Sequence, residues 1–204
     1  MSASSTVLQQ LMAARVHLGH RTSVWNPKMK PYILGERNGI HILDLEQTVA
    51  CLRRALLAFR AAGEQGLAQL WLAPKDPLLQ EMVSRRAEEV GAFTLPGRWI
   101  GGTLTNAVES RQIRRFGGRL PDLLFCLDVH RHATALREAR LVNIPTVAVI
   151  DSDCDPEQVT YPIPGNDESA LALNLYCSLA AQATREGLQR YRAAHTLHAT
   201  EASS

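Results

Sequence analysis

Apolar positions along this chain follow two different periods. Over 45–62, Leu45, Val49, Leu52, Leu56 and Phe59 recur at three- and four-residue spacing, which predicts an amphipathic helix closed by Gly63 and Gly66. Four short, continuous apolar runs read instead as buried strands: 68–73 (AQLWLA), 92–95, 122–128 (DLLFCLD) and 145–151 (PTVAVID). Helices are predicted between them. One covers 76–90, with Asp76 as N-cap, Pro77 in the first turn and Gly91 past the end. The others cover 103–116, after the Gly101-Gly102 turn, and 133–142. A long helix is predicted over 168–194, and a short one over 6–14 capped by Ser4 or Ser5. Two further apolar runs, 31–34 and 39–44, are bounded by turns, while 17–33 and the Pro/Asp-rich 152–167 show neither period and read as loops.

Strands alternating with helices imply a mostly parallel sheet covered on both faces, a doubly wound three-layer α/β fold. We expect one domain over 1–204: an N-terminal arm and basic loop (1–38), an α/β core (39–194) and a polar tail (195–204). An apolar fraction of 46% suits a globular protein with a real core. No apolar run approaches the ~18 residues of a membrane span, so no membrane partner is expected.

Charge changes the picture little, since the formal net is +2. The kind of cation says more. Lysine occurs only at Lys28, Lys30 and Lys75, and every other fixed positive charge is arginine. Guanidinium forks suit phosphate, although a GC-rich genome explains the same bias. Cys51, Cys126, Cys154 and Cys177 form no CxxC pair; the first, second and fourth sit in apolar segments and read as small buried hydrophobes in a reducing compartment. The N-terminus is faintly like a transit peptide but lacks its Arg-rich face.

Enzymatic readings find a permissive fold and little chemistry. No GxGxxG or GxxxxGK[ST] follows a strand, and Gly101-Gly102-Thr103 offers at most one phosphate cradle. Asp128 and Asp151 end strands, and Asp151, Asp153 and Asp155 alternate, yet the glycine and distal glutamate of a calcium loop are missing. The pairs His17/His20, His130/His132 and His195/His198 lack a visible third and fourth zinc ligand. We therefore expect no cofactor, no metal and no small-molecule substrate. The alternative kept open is a flavodoxin-like nucleotide or phosphosugar-binding enzyme.

Two basic segments carry more information. HLGHRTSVWNPKMKPYI, from His17 to Ile33, joins Arg21, Lys28 and Lys30 to Trp25 and Asn26, with Pro27 and Pro31 stiffening the loop. Cations reach phosphates, an indole can stack on a base and an amide can pair with either. The second runs from Gly97 through Arg98, Trp99 and the Gly-Gly turn to Asn106, followed by Arg111, Arg114, Arg115 and Arg119. A packed N-terminal arm and a solvated helix face remain the plain alternatives.

Seven segments in order resemble the universal S2 family of small-subunit ribosomal proteins: ARVHLGH, WNPKMKPYI, IHILDLEQT, RWIGGTLTN, LPDLLFCLD, NIPTVAVID and YPIPGND. The resemblance implies a flavodoxin-like (Rossmann-like) sheet, a non-enzymatic structural role in assembly and translation, and contacts with small-subunit rRNA and neighbouring ribosomal proteins, not with a second copy of itself. Arg21, Trp25, Asn26, Lys28, Lys30, Arg37, Arg98, Trp99, Asn106, Arg114 and Arg115 are the expected rRNA-binding residues.

The departures are specific. Bacterial-type members carry a helical hairpin between the segments matching LTN and LPD, where this chain has only residues 107–119. Ala73-Pro74-Lys75-Asp76 and Leu95-Pro96-Gly97 stand where basic residues are expected. The missing hairpin and the wording of LDLEQT and DCDPEQVTYPIPGNDES resemble mitochondrial members, so a mitochondrial ribosome is the expected location, with bacterial cytoplasm or plastid as alternatives.

Overall fold

In the computed structural model, residues 3–201 are described except Pro96, Glu109 and Gly117, with backbone alone for 3–5, 115 and 195–201. The elements run α1 (Ala3–Ala13), β1 (Leu18–Arg21), a 3-10 turn (Pro27–Tyr32), β2 (Ile33–Arg37), β3 (Ile40–Leu43), α2 (Leu45–Glu64), β4 (Gln69–Leu72), α3 (Pro77–Glu88) and β5 (Phe93–Thr94). They continue with α4 (Arg111–Arg115), β6 (Leu123–Cys126), α5 (Ala133–Leu141), β7 (Thr146–Ile150), a 3-10 turn (Pro156–Gln158), β8 (Tyr161–Pro164) and α6 (Ala170–Glu201).

The main sheet has the order β5-β4-β6-β7-β8, and every pair in it is parallel. Counted along the core, this is the 2-1-3-4-5 order of a flavodoxin-like fold. Because side chains alternate across a strand, parity sorts the core. Trp71, Phe125, Val147, Val149 and Ile163 face α1, α2, α3 and α6, where Phe59 meets Trp71 and Phe125 edge to face. Leu70, Leu72, Leu124, Cys126, Ala148 and Ile150 face α5, α4, Met29 of the arm and Leu43 of β3, both buried there. Asp76 caps α3 as expected, accepting from the Leu78 amide at 2.8 Å.

Four expectations need correction. The predicted loop over 152–167 contains β8, whose Pro162 and Pro164 argued against a strand. Both prolines are tolerated because β8 is an edge strand with one unpaired side, and the Pro164 carbonyl accepts from Thr48 Oγ1 at 2.8 Å. The predicted loop over 17–33 contains β1 and a 3-10 turn, and β1 belongs to a second, antiparallel sheet of order β1-β3-β2. The helix expected over 103–116 is turns over 101–108 and a helix only at Arg111–Arg115. The terminal helices are longer than predicted: α1 starts at Ala3, and α6 runs into the expected polar tail as far as Glu201, with residues 202–204 lying outside the described ones.

Asn166 joins arm to core. Its Oδ1 accepts from the Glu168 and Ser169 amides at 2.8 and 2.7 Å, capping the approach to α6, while its Nδ2 donates to the Leu18 carbonyl at 2.8 Å.

Candidate nucleic-acid interface

The first basic segment is rigid because backbone hydrogen bonds dock it onto the loop after β7. The His20 amide donates to Ser152 Oγ and the Asn26 amide to the Ser152 carbonyl, both at 2.8 Å. Asn26 is spent on its own turn: its Oδ1 accepts from the Lys28 amide at 3.0 Å, the Asx cap that starts the 3-10 turn. Trp25 is half-buried and packs on His41, with ring centroids 5.2 Å apart. Lys28 is exposed but ion-paired to Asp155 at 2.9 Å and Glu157 at 2.6 Å, and those two carboxylates raise its ammonium above the ordinary lysine range.

β2 and β3 are joined at Asn38-Gly39, both in the left-handed region (φ 53° and 75°), as a type I′ hairpin requires. That dipeptide between two apolar runs is the sequence signal that finds the hairpin. Arg21 of β1 and Arg37 of β2 are each registered opposite Ile40 of β3, so the two guanidiniums leave the same face of the small sheet. Both are exposed, as are Lys30, Arg98, Asn106 and Arg114. The side chain of Arg115 lies outside the described residues. Among described residues, no carboxylate pairs with Arg21, Lys30, Arg37, Arg98 or Arg114, whereas Arg60, Arg85, Arg86, Arg119, Arg185 and Arg190 are all committed to acids.

The second segment is organised by a residue that the sequence pattern did not single out. Glu138 of α5 is 6% exposed and lies on the same helical stripe as the buried Ala135 and Ala139. Its Oε1 accepts from the Trp99 indole at 3.1 Å and the Gly102 amide at 2.9 Å; its Oε2 accepts from the Leu104 amide at 2.8 Å and the Thr105 amide at 3.4 Å. These amides belong to the turns over 101–108 and share Glu138 as their acceptor. Trp99 is 7% exposed and therefore holds the loop from inside. Gln112 fixes the other flank, taking the Thr103 hydroxyl on Oε1 and donating to the Arg98 carbonyl at 3.0 Å. An acid in an apolar helical stripe is the signal that could have found Glu138.

Burial pushes the Glu138 carboxyl up, but the Trp99, Leu104, Gly102 and Thr105 donors outweigh it and hold it below the usual range. A depressed folded-state value contributes stability above the unfolded carboxyl's ~4.3, and that contribution is lost as pH falls through the folded value. We expect the urea-midpoint gap between wild type and Glu138→Gln to be full at pH 7 and to shrink progressively in acid below about pH 4. An unchanged gap down to the acid limit would refute this.

At the carboxyl ends of β4 and β6, where a 2-1-3-4-5 fold opens its ligand crevice, the buried His132 ring bonds the Ala73 carbonyl through Nε2 at 2.9 Å. Burial lowers its affinity for a proton. The His130/His132 pair of the sequence is thus split, and the side chains of His195 and His198 lie outside the described residues. His132 turns to Ala73, while His130 turns to Asp153, with Nε2 3.0 Å from Oδ2. His20 lies beside Asp151, Nδ1 to Oδ1 3.2 Å, and this neighbour raises its pKa to about 9. Asp167, also in this acidic group, is pushed up to about 7 by burial and by Asp151.

Comparison with known proteins agrees with the resemblance. The family described as Ribosomal protein S2 matches residues 11–117 and 109–187, two pieces that meet at the predicted position of the missing hairpin. A protein of Rhodospirillum centenum named small ribosomal subunit protein uS2 is 38% identical over 229 residues, covering 93% of this chain and 87% of that one. Proteins of the same name from Sinorhizobium medicae (36%, 95% and 91% covered) and Agrobacterium fabrum (37%, 92% and 88% covered) are similarly related. These alignments are longer than the 204 residues of the chain, so the relatives carry a segment that it lacks.

Proposed function

The chain belongs to the ribosomal protein S2 family, and from that membership we propose that it is a structural constituent of the small ribosomal subunit, bound to its rRNA and to neighbouring ribosomal proteins. The family match along 11–187 carries the role. The rRNA-facing set is proposed from geometry. Arg21, Lys30, Arg37, Arg98 and Arg114 are exposed, have no acidic partner among the described residues and meet phosphates. Trp25, Asn26, Trp99 and Glu138 hold the two loops that present them, and Asn106 and Arg115 complete the set. Lys28 contributes less, because a phosphate must compete with Asp155 and Glu157 for it. His132 sits in the crevice a nucleotide would use, which favours the structural role over a nucleotide or phosphosugar enzyme.

For the finer location we propose a mitochondrial ribosome, on the missing hairpin. The bacterial relatives support the alternative, a bacterial ribosome in the cytoplasm. Fractionation of the source cells decides: recovery of the chain in mitochondrial ribosomes is expected, and recovery in the ribosomes of a bacterial cytoplasm or of a plastid overturns the mitochondrial reading.

The test of the role is a salt-graded sucrose gradient of the tagged chain. Co-migration with small subunits at moderate salt is expected, and a chain that stays at the top of the gradient overturns the proposal. In the combined variant Arg21→Glu, Arg37→Glu, Arg98→Glu, we expect an unchanged circular dichroism spectrum. Its rRNA binding should weaken at least tenfold, with a salt slope shallower by about one for each phosphate no longer neutralised. Undiminished binding would remove these residues from the interface.

A further inference from the structure

We propose that the groove between α2 and α6 seats an amphipathic helix of a neighbouring small-subunit protein, with an acid at one end of the contact and a base at the other. The inference rests on the structural role proposed above.

The groove follows from how the two helices pack. Gly63 and Gly187 bring their backbones into contact at one crossing point. On the N-terminal side of that crossing the helices bound a groove of about 370 Å³. Its apolar lining is Leu56, Leu57, Leu179 and Ala183, and Arg53 and Glu186 also stand in its wall. Leu57 is 62% exposed, so the rest of the chain does not cover this flank of α6. The other flank is held by α3, where Arg185 pairs with Glu89 at 2.9 Å and Arg86 donates to Asn174 at 3.4 Å.

Shape and charge define the occupant. Arg53 lies seven residues before Arg60, about 10 Å along α2, which makes the groove two helical turns long. A convex helix fills such a hollow by placing apolar residues at i, i+3 or i+4, and i+7. Two copies of this chain meeting groove to groove would leave both hollows empty. Of the two arginines, Arg60 is held by Glu64 at 3.3 Å, while Arg53 is exposed and has no carboxylate partner among the described residues. Glu186 accepts from Gln182 at 3.1 Å and has no cation partner among the described residues. Glu186 adjoins Gly187 at the crossing, so the unpaired acid and the unpaired base mark opposite ends of the groove. The partner helix therefore carries an acid for Arg53 and a lysine or arginine for Glu186, about seven residues apart.

RNA does not fit here. The lining is apolar, and Glu186 repels a phosphate. The groove also lies behind the main sheet: α2 and α6 cover the face with Phe125 and Val149, whereas Met29 and Trp99, from the two basic segments, are buried on the other. The chain thus offers RNA one face and a protein helix the opposite one.

The test puts the photo-cross-linker p-benzoylphenylalanine in place of Leu57 in the full chain. Small subunits that contain it are isolated by sedimentation and irradiated, and the linked segment is read by mass spectrometry. We expect one ribosomal protein, linked within a segment that has helical apolar spacing and an acid and a base about seven residues apart. Arg53→Glu should lower the yield at least fivefold, and lysine in place of the partner's acid should restore it. The same probe in place of Leu78, 76% exposed on α3, should not reach that segment. Linkage to rRNA, to a second copy or to a segment without this pattern overturns the proposal, as does an unchanged yield in Arg53→Glu. Should Arg53→Glu not enter subunits, Glu186→Gln is read in the same way. A wild-type chain absent from small subunits refutes the structural role and this inference with it; a chain present there without a cross-link refutes the groove alone.

Discussion

Glu138→Ala is expected to destabilise the protein by about 3 kcal/mol and to release the 99–105 loop, although the residue touches no rRNA in the proposed interface. Its carboxylate takes four N–H donors, and each buried donor left unmet costs ~1–3 kcal/mol. The full sum is not reached, because the loop can open and give its amides to water. What remains is the loss of Trp99 burial and of the organised turn. Glu138→Gln, which keeps one acceptor oxygen but turns an NH2 toward the amides, should fall between. Urea midpoints measure the loss. Hydrogen exchange at the Gly102, Leu104 and Thr105 amides localises it: these should exchange much faster in the alanine variant while the β6 amides stay protected. A midpoint within ~0.5 kcal/mol of wild type would show that Glu138 does not organise the loop.

Gly187→Ala should cost a similar amount for the opposite reason, overpacking. α2 and α6 cross with Gly63 against Gly187. A Cβ on Gly187 would stand 2.2 Å from the Arg60 carbonyl oxygen and 2.7 Å from the Glu64 nitrogen, and one on Gly63 would meet the Thr184 carbonyl at 2.4 Å. These neighbours are backbone atoms, so no rotamer change relieves the clash and the helices must separate along their buried faces. Overpacking of this kind costs ~1–3 kcal/mol or more. Alanine's better helix propensity returns up to ~1 kcal/mol, leaving a net loss of about 2 kcal/mol where the backbone clash is at the upper end of that range. Gly35→Ala is the control: a Cβ there meets nothing within 4 Å, so its melting temperature should match wild type. If both variants melt alike, the crossing is looser than these distances imply.

How much of this was legible follows from sequence distance. The three central strands and the capped α3 carry their information locally, in continuous apolar runs and an Asp-Pro start, and they appear where expected. β8 was hidden because its two prolines are strand breakers everywhere except at an edge, and an edge is a property of the assembled sheet. The acceptor that organises the turns over 101–108 was hidden because Glu138 lies more than 30 residues away. The basic residues were visible as residues, but their division into paired and unpaired ones was not. Lys28 meets Asp155 across 127 positions, and no local pattern encodes that. The same kind of separation concealed the convergence of His130 with Asp153.

The docking of the arm has a consequence in time. The segment bearing Arg21 and Lys30 is made early in synthesis, yet the group that receives its His20 amide, Ser152, lies 132 residues later. Asn166, which ties Leu18 to the start of α6, is later still. Interactions that span so much chain close last, since loop closure must be met before they stabilise anything. During synthesis the cationic hairpin therefore stays undocked until β7 and the residues after it emerge. A nascent chain that stalls before Ser152 has all its early arginines and no platform to aim them from.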